Sequence, residues 1–160
     1  MTSVPSSRSS SSLTCVLADD NEPVLDALDS LLRGEGIGVL GRARTGVDAL
    51  RLLERLPTTA VVLDLRLPDL SGLEVARRAA EIIRRKTAIV LYTSFADPST
   101  VGEALDAGAR AVVLKGASPS NLLDALSVVA GGGMYLDPLL RTHLSADGDG
   151  VGPPAKVGVR

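Results

Sequence analysis

The chain has no tryptophan, one phenylalanine and two tyrosines, so its core cannot be organised around aromatic rings. The 45% hydrophobic content must instead close-pack as Leu, Val, Ile and Ala. Cys15 is the one cysteine, which excludes an internal disulfide and any multi-cysteine metal site. Lying in the apolar run "LTCVLA", it reads as a buried, inert thiol. The single histidine, His143, falls in the trailing segment and reads as a solvated residue. Seventeen basic against nineteen acidic residues give a net charge of −2, which leaves no basic footprint for nucleic acid. No apolar run approaches the roughly 18 residues needed to span a membrane. The opening "MTSVPSSRSSSS" lacks the apolar core of a signal peptide. The chain is therefore expected to be soluble and cytoplasmic, and its 160 residues to form one folded domain.

The ends differ in composition from the middle. Residues 1–12 hold seven serines and read as a disordered tail, and 145–160 are rich in Gly and Pro. Between them, short apolar runs alternate with helical patterns. "LTCVLA" (13–18) is strand-like and halts at Asp19-Asp20, and a helix follows from about Pro23, ended by Gly34 and Gly36. "IGVLGRA" (37–43) is a weaker, glycine-interrupted strand. Thr45 and Asp48 have the spacing of an N-cap and an acidic N3 for the next helix, which Pro57 stops. "AVVLDL" is the third strand, "GLEVARRAAEII" a helix and "TAIVLYTS" the fourth strand. Asp97-Pro98 opens a helix ending near Gly108, "RAVVLK" is the fifth strand, and Ser118-Pro119 opens a last helix ending at Gly131 to Gly133. Five strand–helix pairs in strict alternation predict an α/β fold with a five-stranded parallel sheet covered on both faces.

In such sheets functional residues gather beyond the carboxyl ends of the strands. Strand one ends in Asp19-Asp20, strand three in Asp64, strand four in Thr93-Ser94 and strand five in Lys115. Strand two ends near Ala43-Arg44, with nothing comparably pointed. Taken singly, an Asp after a strand is a turn or capping residue, a lysine is a solvated charge and a threonine is a strand former. Jointly, three carboxylates, hydroxyls and an ammonium are set to converge. Clustered carboxylates raise one another's pKa unless a cation neutralises them. A hard oxygen site with few protein ligands suits Mg²⁺, with Mn²⁺ an alternative. A carboxylate ionised beside such an ion is a competent nucleophile toward phosphorus.

With these residues in view, the sequence resembles the receiver domain of two-component response regulators over about Leu13 to Gly133. "LADDNEPV" is similar to that family's acidic pair and "DLRLPDLSG" to its D-x-x-x-P-x-x-x-G loop. "LYTSFAD" resembles its hydroxyl-bearing strand and "VLKGASPSNL" its lysine strand. The resemblance implies a flavodoxin-like doubly wound (βα)5 fold with strand order 2-1-3-4-5. It implies Asp64 as phosphoacceptor, Asp20 as a direct Mg²⁺ ligand, Asp19 acting mostly through water, and the Arg66 carbonyl as a further ligand. Thr93, with Ser94, supplies the switch hydroxyl, Lys115 pairs with the phosphoryl group, and Pro68 and Gly72 shape the loop.

The absence of proline directly after Lys115 is similar to the NarL/FixJ subgroup, whose members carry a C-terminal helix-turn-helix of the LuxR type. "GGGMYLDPLLRTHL" resembles the lead into that module, so 134–160 are expected to be a linker and the chain to be the receiver of a longer regulator. The implied partners are a sensor histidine kinase, a second copy after phosphorylation, and DNA through the output domain alone. The implied role is a phosphorylation switch, capable of self-phosphorylation from small donors and of autodephosphorylation, and not an enzyme. One departure stands out: Val112 occupies the strand-five place where the family commonly has an aromatic residue. Tyr92 is a candidate for part of that role, and Arg66 and Phe95 are candidates for governing water access. Two other readings are a phosphorylation-independent pseudo-receiver and an Asp-nucleophile phosphatase, the latter disfavoured by short loops without a cap insertion.

Overall fold

The computed structural model describes residues 13–83 and 87–141. The tail at 1–12, His143 and the segment 142–160 lie outside the described residues. The elements run β1 (Thr14–Ala18), α1 (Glu22–Gly34), β2 (Gly38–Ala43), α2 (Gly46–Arg55), β3 (Ala60–Leu63), α3 (Gly72–Ile82), β4 (Ala88–Thr93), α4 (Pro98–Asp106), β5 (Ala109–Leu114), α5 (Pro119–Ala130) and β6 (Tyr135–Leu136). All strand pairs are parallel, in the order β2-β1-β3-β4-β5-β6.

Side chains alternate across a strand, so an unbroken apolar strand must serve two cores. In one, Val16, Val61, Leu63, Leu91 and Val112 meet Ala49 and Leu53 of α2, Val75, Ala76 and Ala79 of α3, and Val101 and Ala104 of α4. In the other, Cys15, Leu17, Val62, Val90 and Val113 meet Leu25, Leu28 and Leu32 of α1 and Leu122, Leu126 and Val129 of α5. Burial pushes the Cys15 thiol up to about 12, which makes it inert as expected.

Each of α1 to α5 starts just beyond a strand's carboxyl end with a side-chain cap. Asn21, Thr45, Ser71, Asp97 and Ser118 accept from the backbone N–H groups of Val24, Asp48, Glu74, Thr100 and Ser120. The βα loops on this edge are thereby held in place, and they carry the residues singled out in the sequence.

The sheet departs from the expected five strands. The sixth, Tyr135–Leu136, comes from the stretch read as linker and pairs with β5 through Ala111↔Tyr135 and Val112↔Leu136. Two residues are too few to show a period of two, so this strand leaves no pattern in the sequence. What fixes it is a contact across the sheet edge: Asp137 N–H donates to the Val112 carbonyl at 2.9 Å.

Candidate functional site

The β-ladders continue one step past the strands and so deliver the first two carboxylates. Asp19 N–H donates to the Ala43 carbonyl and Asp64 N–H to the Ala18 carbonyl, each at 3.0 Å. Both side chains are buried, at 2% and 7% exposure, whereas Asp20 is exposed. Carboxylate oxygens of Asp19, Asp20 and Asp64 lie within 4.8 Å of one another. Lys115 enters from the end of β5, its Nζ 2.5 Å from Asp19 Oδ2 and 3.1 Å from Asp64 Oδ2. The peptide that carries it is anchored too, since Lys115 N–H donates to the Thr93 carbonyl at 2.8 Å.

The electrostatics follow from burial. Asp64 is pushed above the usual carboxylate range chiefly by desolvation, with the Asp19 charge adding to the rise. The Lys115 hydrogen bond and charge, and the Arg66 N–H at 3.3 Å from Oδ1, act in the opposite direction. For Lys115 burial opposes the ammonium, but its bonds to Asp19 and Asp64 outweigh that and raise its pKa.

Among the described residues, the Lys115 ammonium bonds Asp19 and Asp64 of the three carboxylates, so the cluster carries more formal negative than positive charge. Hard anionic oxygens, some buried and one open to water, fit a small divalent cation of the Mg²⁺ or Mn²⁺ kind. Soft ligands are absent from the cluster.

The loop after β3 is drawn tight. Gly72 N–H donates to the Leu65 carbonyl at 2.7 Å, and Arg66 pairs with Ser71 in an antiparallel bridge. Arg66 and Pro68 are exposed on this loop and Gly72 is buried behind it. A Cβ on Gly72 would strike the Asp64 carbonyl and come within 2.7 Å of Leu65 Cα, so this position needs the space that only glycine leaves.

Thr93 is buried, and its hydroxyl lies 3.3 Å from the Phe95 carbonyl, to which it donates. Ser94 is exposed, as is Phe95 at 62%. Val112 is wholly buried in the core shared with α2, α3 and α4. Tyr92 packs in the other core, on the opposite face of the sheet from Thr93 and Val112. It cannot fill an aromatic position on the Val112 side. It does lie near the pocket: burial raises its pKa, and the charges of Lys115 and Asp19 pull that value in opposite directions.

Three participants were missed in the sequence. Arg44, just past β2, donates from Nη2 to the Asp20 carbonyl at 3.0 Å and steadies the acidic loop. Its position on the strand-end edge was a usable signal. Asp69 accepts from Gly46 N–H at 2.7 Å and Val47 N–H at 3.0 Å, tying the loop after Asp64 to the start of α2. Asp137 is completely buried and accepts from Leu114 N–H at 3.1 Å, beside Lys115. Both are long-range contacts with no spacing signature.

Comparison with known proteins bears on this arrangement. The model of the response regulator receiver domain matches residues 15–127. The transcriptional regulatory protein YhcZ of Bacillus subtilis is 33% identical over 130 residues, covering 81% of this chain and 60% of that protein. The transcriptional regulatory protein UhpA of Salmonella typhimurium is 32% identical over 135 residues, covering 84% and 67%. A LuxR-family two-component response regulator from Aurantimonas sp. SI85-9A1 superposes with a TM-score of 0.80 at 25% identity, over 85% of this chain and 97% of that one. The chain thus spans about three fifths of the length of YhcZ. Among the described residues, no helix is long and apolar enough to cross a membrane.

Proposed function

The chain belongs to the response regulator receiver family, and we propose that its acidic pocket is a phosphoacceptor site with Asp64 as the residue modified. The observation that carries this reading is a carboxylate buried at the end of β3, bonded to Lys115 and crowded by Asp19 and Asp20. Such a group is poorly solvated, and its oxygens are left open to an electrophile that enters the pocket.

A phosphohistidine of a sensor kinase, or an acyl phosphate, supplies the phosphorus. An Asp64 carboxylate oxygen forms the new P–O bond, the bond to nitrogen or to the acyl oxygen breaks, and the leaving group departs with its electron pair. Lys115 binds a phosphoryl oxygen through the ammonium that now holds Asp64. Asp20, Asp64 and the Arg66 carbonyl would hold Mg²⁺, with Asp19 acting largely through water. The ion's contribution is to offset negative charge on the phosphoryl oxygens.

The Thr93 hydroxyl has one proton, now given to the Phe95 carbonyl. Donating it to the phosphoryl group releases Phe95 and the loop leading to α4. Charge at the pocket is so converted into a changed surface. Without turnover of a substrate, the domain acts as a switch. Aspartyl phosphate lifetime is then set by water access, with Arg66 and Phe95 on the exposed rim as the modulators. The relatives support a transcriptional output, which we assign to a C-terminal LuxR-type helix-turn-helix and to homodimerisation on phosphorylation.

Intact mass after incubation with acetyl phosphate tests the reading. Wild type with Mg²⁺ gains one phosphoryl group, and neither Mg²⁺-free wild type nor Asp64→Asn does. No gain in any condition replaces the switch with a phosphorylation-independent interaction module.

A further inference from the structure

Beyond the pocket, the last described segment is fastened to the strand that carries Lys115. In a parallel pair, successive residues of a strand send their N–H groups to opposite neighbours. At the end of β5 the Lys115 N–H goes to the Thr93 carbonyl of β4, and the Leu114 N–H goes the other way. There β6 has already ended at Leu136. The Asp137 carboxylate accepts the Leu114 N–H through Oδ2 at 3.1 Å.

The same residue starts the helical turn at 138–141. Its Oδ1 accepts from Leu139 N–H at 3.0 Å, and its carbonyl accepts from Leu140 and Arg141 N–H at 2.9 and 3.1 Å. Asn121 of α5 reaches Oδ2 at 3.5 Å. The carboxylate is fully buried, so losing the Leu114 N–H leaves the Leu114 donor without this partner and Oδ2 with only the longer bond from Asn121. A position of this kind has few intermediate settings: the bond is made or the turn lets go.

Two residues earlier on β5, the carbonyl of the buried Val112 accepts the Asp137 N–H at 2.9 Å, so Asp137 grips this strand at two points. We propose that Asp137 is a positioning residue that couples Lys115 to the segment leaving the domain, so that engagement of Lys115 by a phosphoryl group loosens or tightens residues 134–141. The path is Asp64 to Lys115 by side chain, one peptide back to Leu114, and across the sheet edge to Asp137. This inference rests on the phosphoacceptor reading above.

Hydrogen exchange of peptides covering 134–141 tests it, with and without acetyl phosphate and Mg²⁺, phosphoryl uptake being followed by intact mass in the same samples. In wild type the exchange rate is expected to change by about threefold or more on phosphorylation. In Asp137→Ala exchange is fast in both states and the phosphorylation-dependent change disappears, while Asp64 still takes up a phosphoryl group. Asp137→Asn, which keeps the volume and one carbonyl acceptor, retains part of the change and serves if the alanine variant does not fold. A purely structural role would raise exchange equally in both states and leave the difference intact, which overturns the coupling. Phosphoryl uptake without any exchange change in wild type overturns it as well. No uptake in wild type overturns the phosphoacceptor reading, and this inference with it.

Discussion

Lys115 Nζ bridges Asp19 Oδ2 at 2.5 Å and Asp64 Oδ2 at 3.1 Å, so one ammonium joins the carboxylates that end β1 and β3. Only 19% of its side chain is exposed, so the pair is shielded from bulk water on most sides.

Removing that cation exposes the repulsion it now offsets. Lys115→Met should lower stability in Mg²⁺-free urea unfolding by about 2 kcal/mol, less than for a fully buried pair because the pocket mouth is wet. Adding Asp64→Asn removes one of the two buried charges, so the double variant should recover part of the loss. A double variant equal to the sum of the singles contradicts the bridge.

Mg²⁺ should replace the missing neutralisation. At free Mg²⁺ tenfold above its Kd, wild type gains about 1.4 kcal/mol by mass action, read as a rise in Tm. Asp20→Asn removes the carboxylate of the cluster most open to solvent and should abolish most of that shift. Lys115→Met should gain more from Mg²⁺ than wild type does, because its carboxylates start uncompensated.

Asp69 gives the pH dependence. Hydrogen bonds from the Gly46, Val47 and Leu70 N–H groups hold its carboxyl below the usual carboxylate range. A folded pKa below the unfolded one contributes stability above the unfolded value, and that contribution is lost as pH falls through the folded value. Asp69→Asn should therefore melt lower than wild type near neutral pH. The gap should narrow as the buffer is taken below about pH 4. A gap that is constant with pH would mean the N–H groups do not depend on the charge.

The sheet and the pocket were legible because their signals are local. Apolar runs that stop at Asp19, Asp64, Thr93 and Lys115 locate strand ends, and strand ends of a parallel sheet share an edge. Thr45, Asp97 and Ser118 were readable as caps from their next few neighbours. Residues whose partners lie far along the chain were not legible. Asp69 looks like one more turn residue until Gly46 is seen against it, and Asp137 looks like part of a linker until Leu114 is paired with it. The two-residue β6 is too short to carry a pattern, which is why five strands were expected and six are found. Tyr92 and Thr93, adjacent in sequence, fall on opposite faces for the same period-two reason that built both cores.

Gly72 is where the loop behind Asp64 tolerates least. A Cβ there meets backbone, the Asp64 carbonyl and Leu65 Cα, and backbone cannot turn aside as a flexible side chain would. Relief requires the Asp64 peptide itself to move. Gly72→Ala should therefore cost about 2–4 kcal/mol in urea unfolding, at the upper end for overpacking. It should also slow phosphoryl uptake by Asp64 under conditions where the variant is still folded. Gly102→Ala is the control, since Gly102 lies inside α4 with nothing within 4 Å of its added Cβ. There the helix preference for alanine dominates, and stability should rise by about 0.5–1 kcal/mol with uptake unchanged. If Gly72→Ala is as mild as Gly102→Ala, the loop has room to shift, and the tight approach to Asp64 is not a constraint on its chemistry.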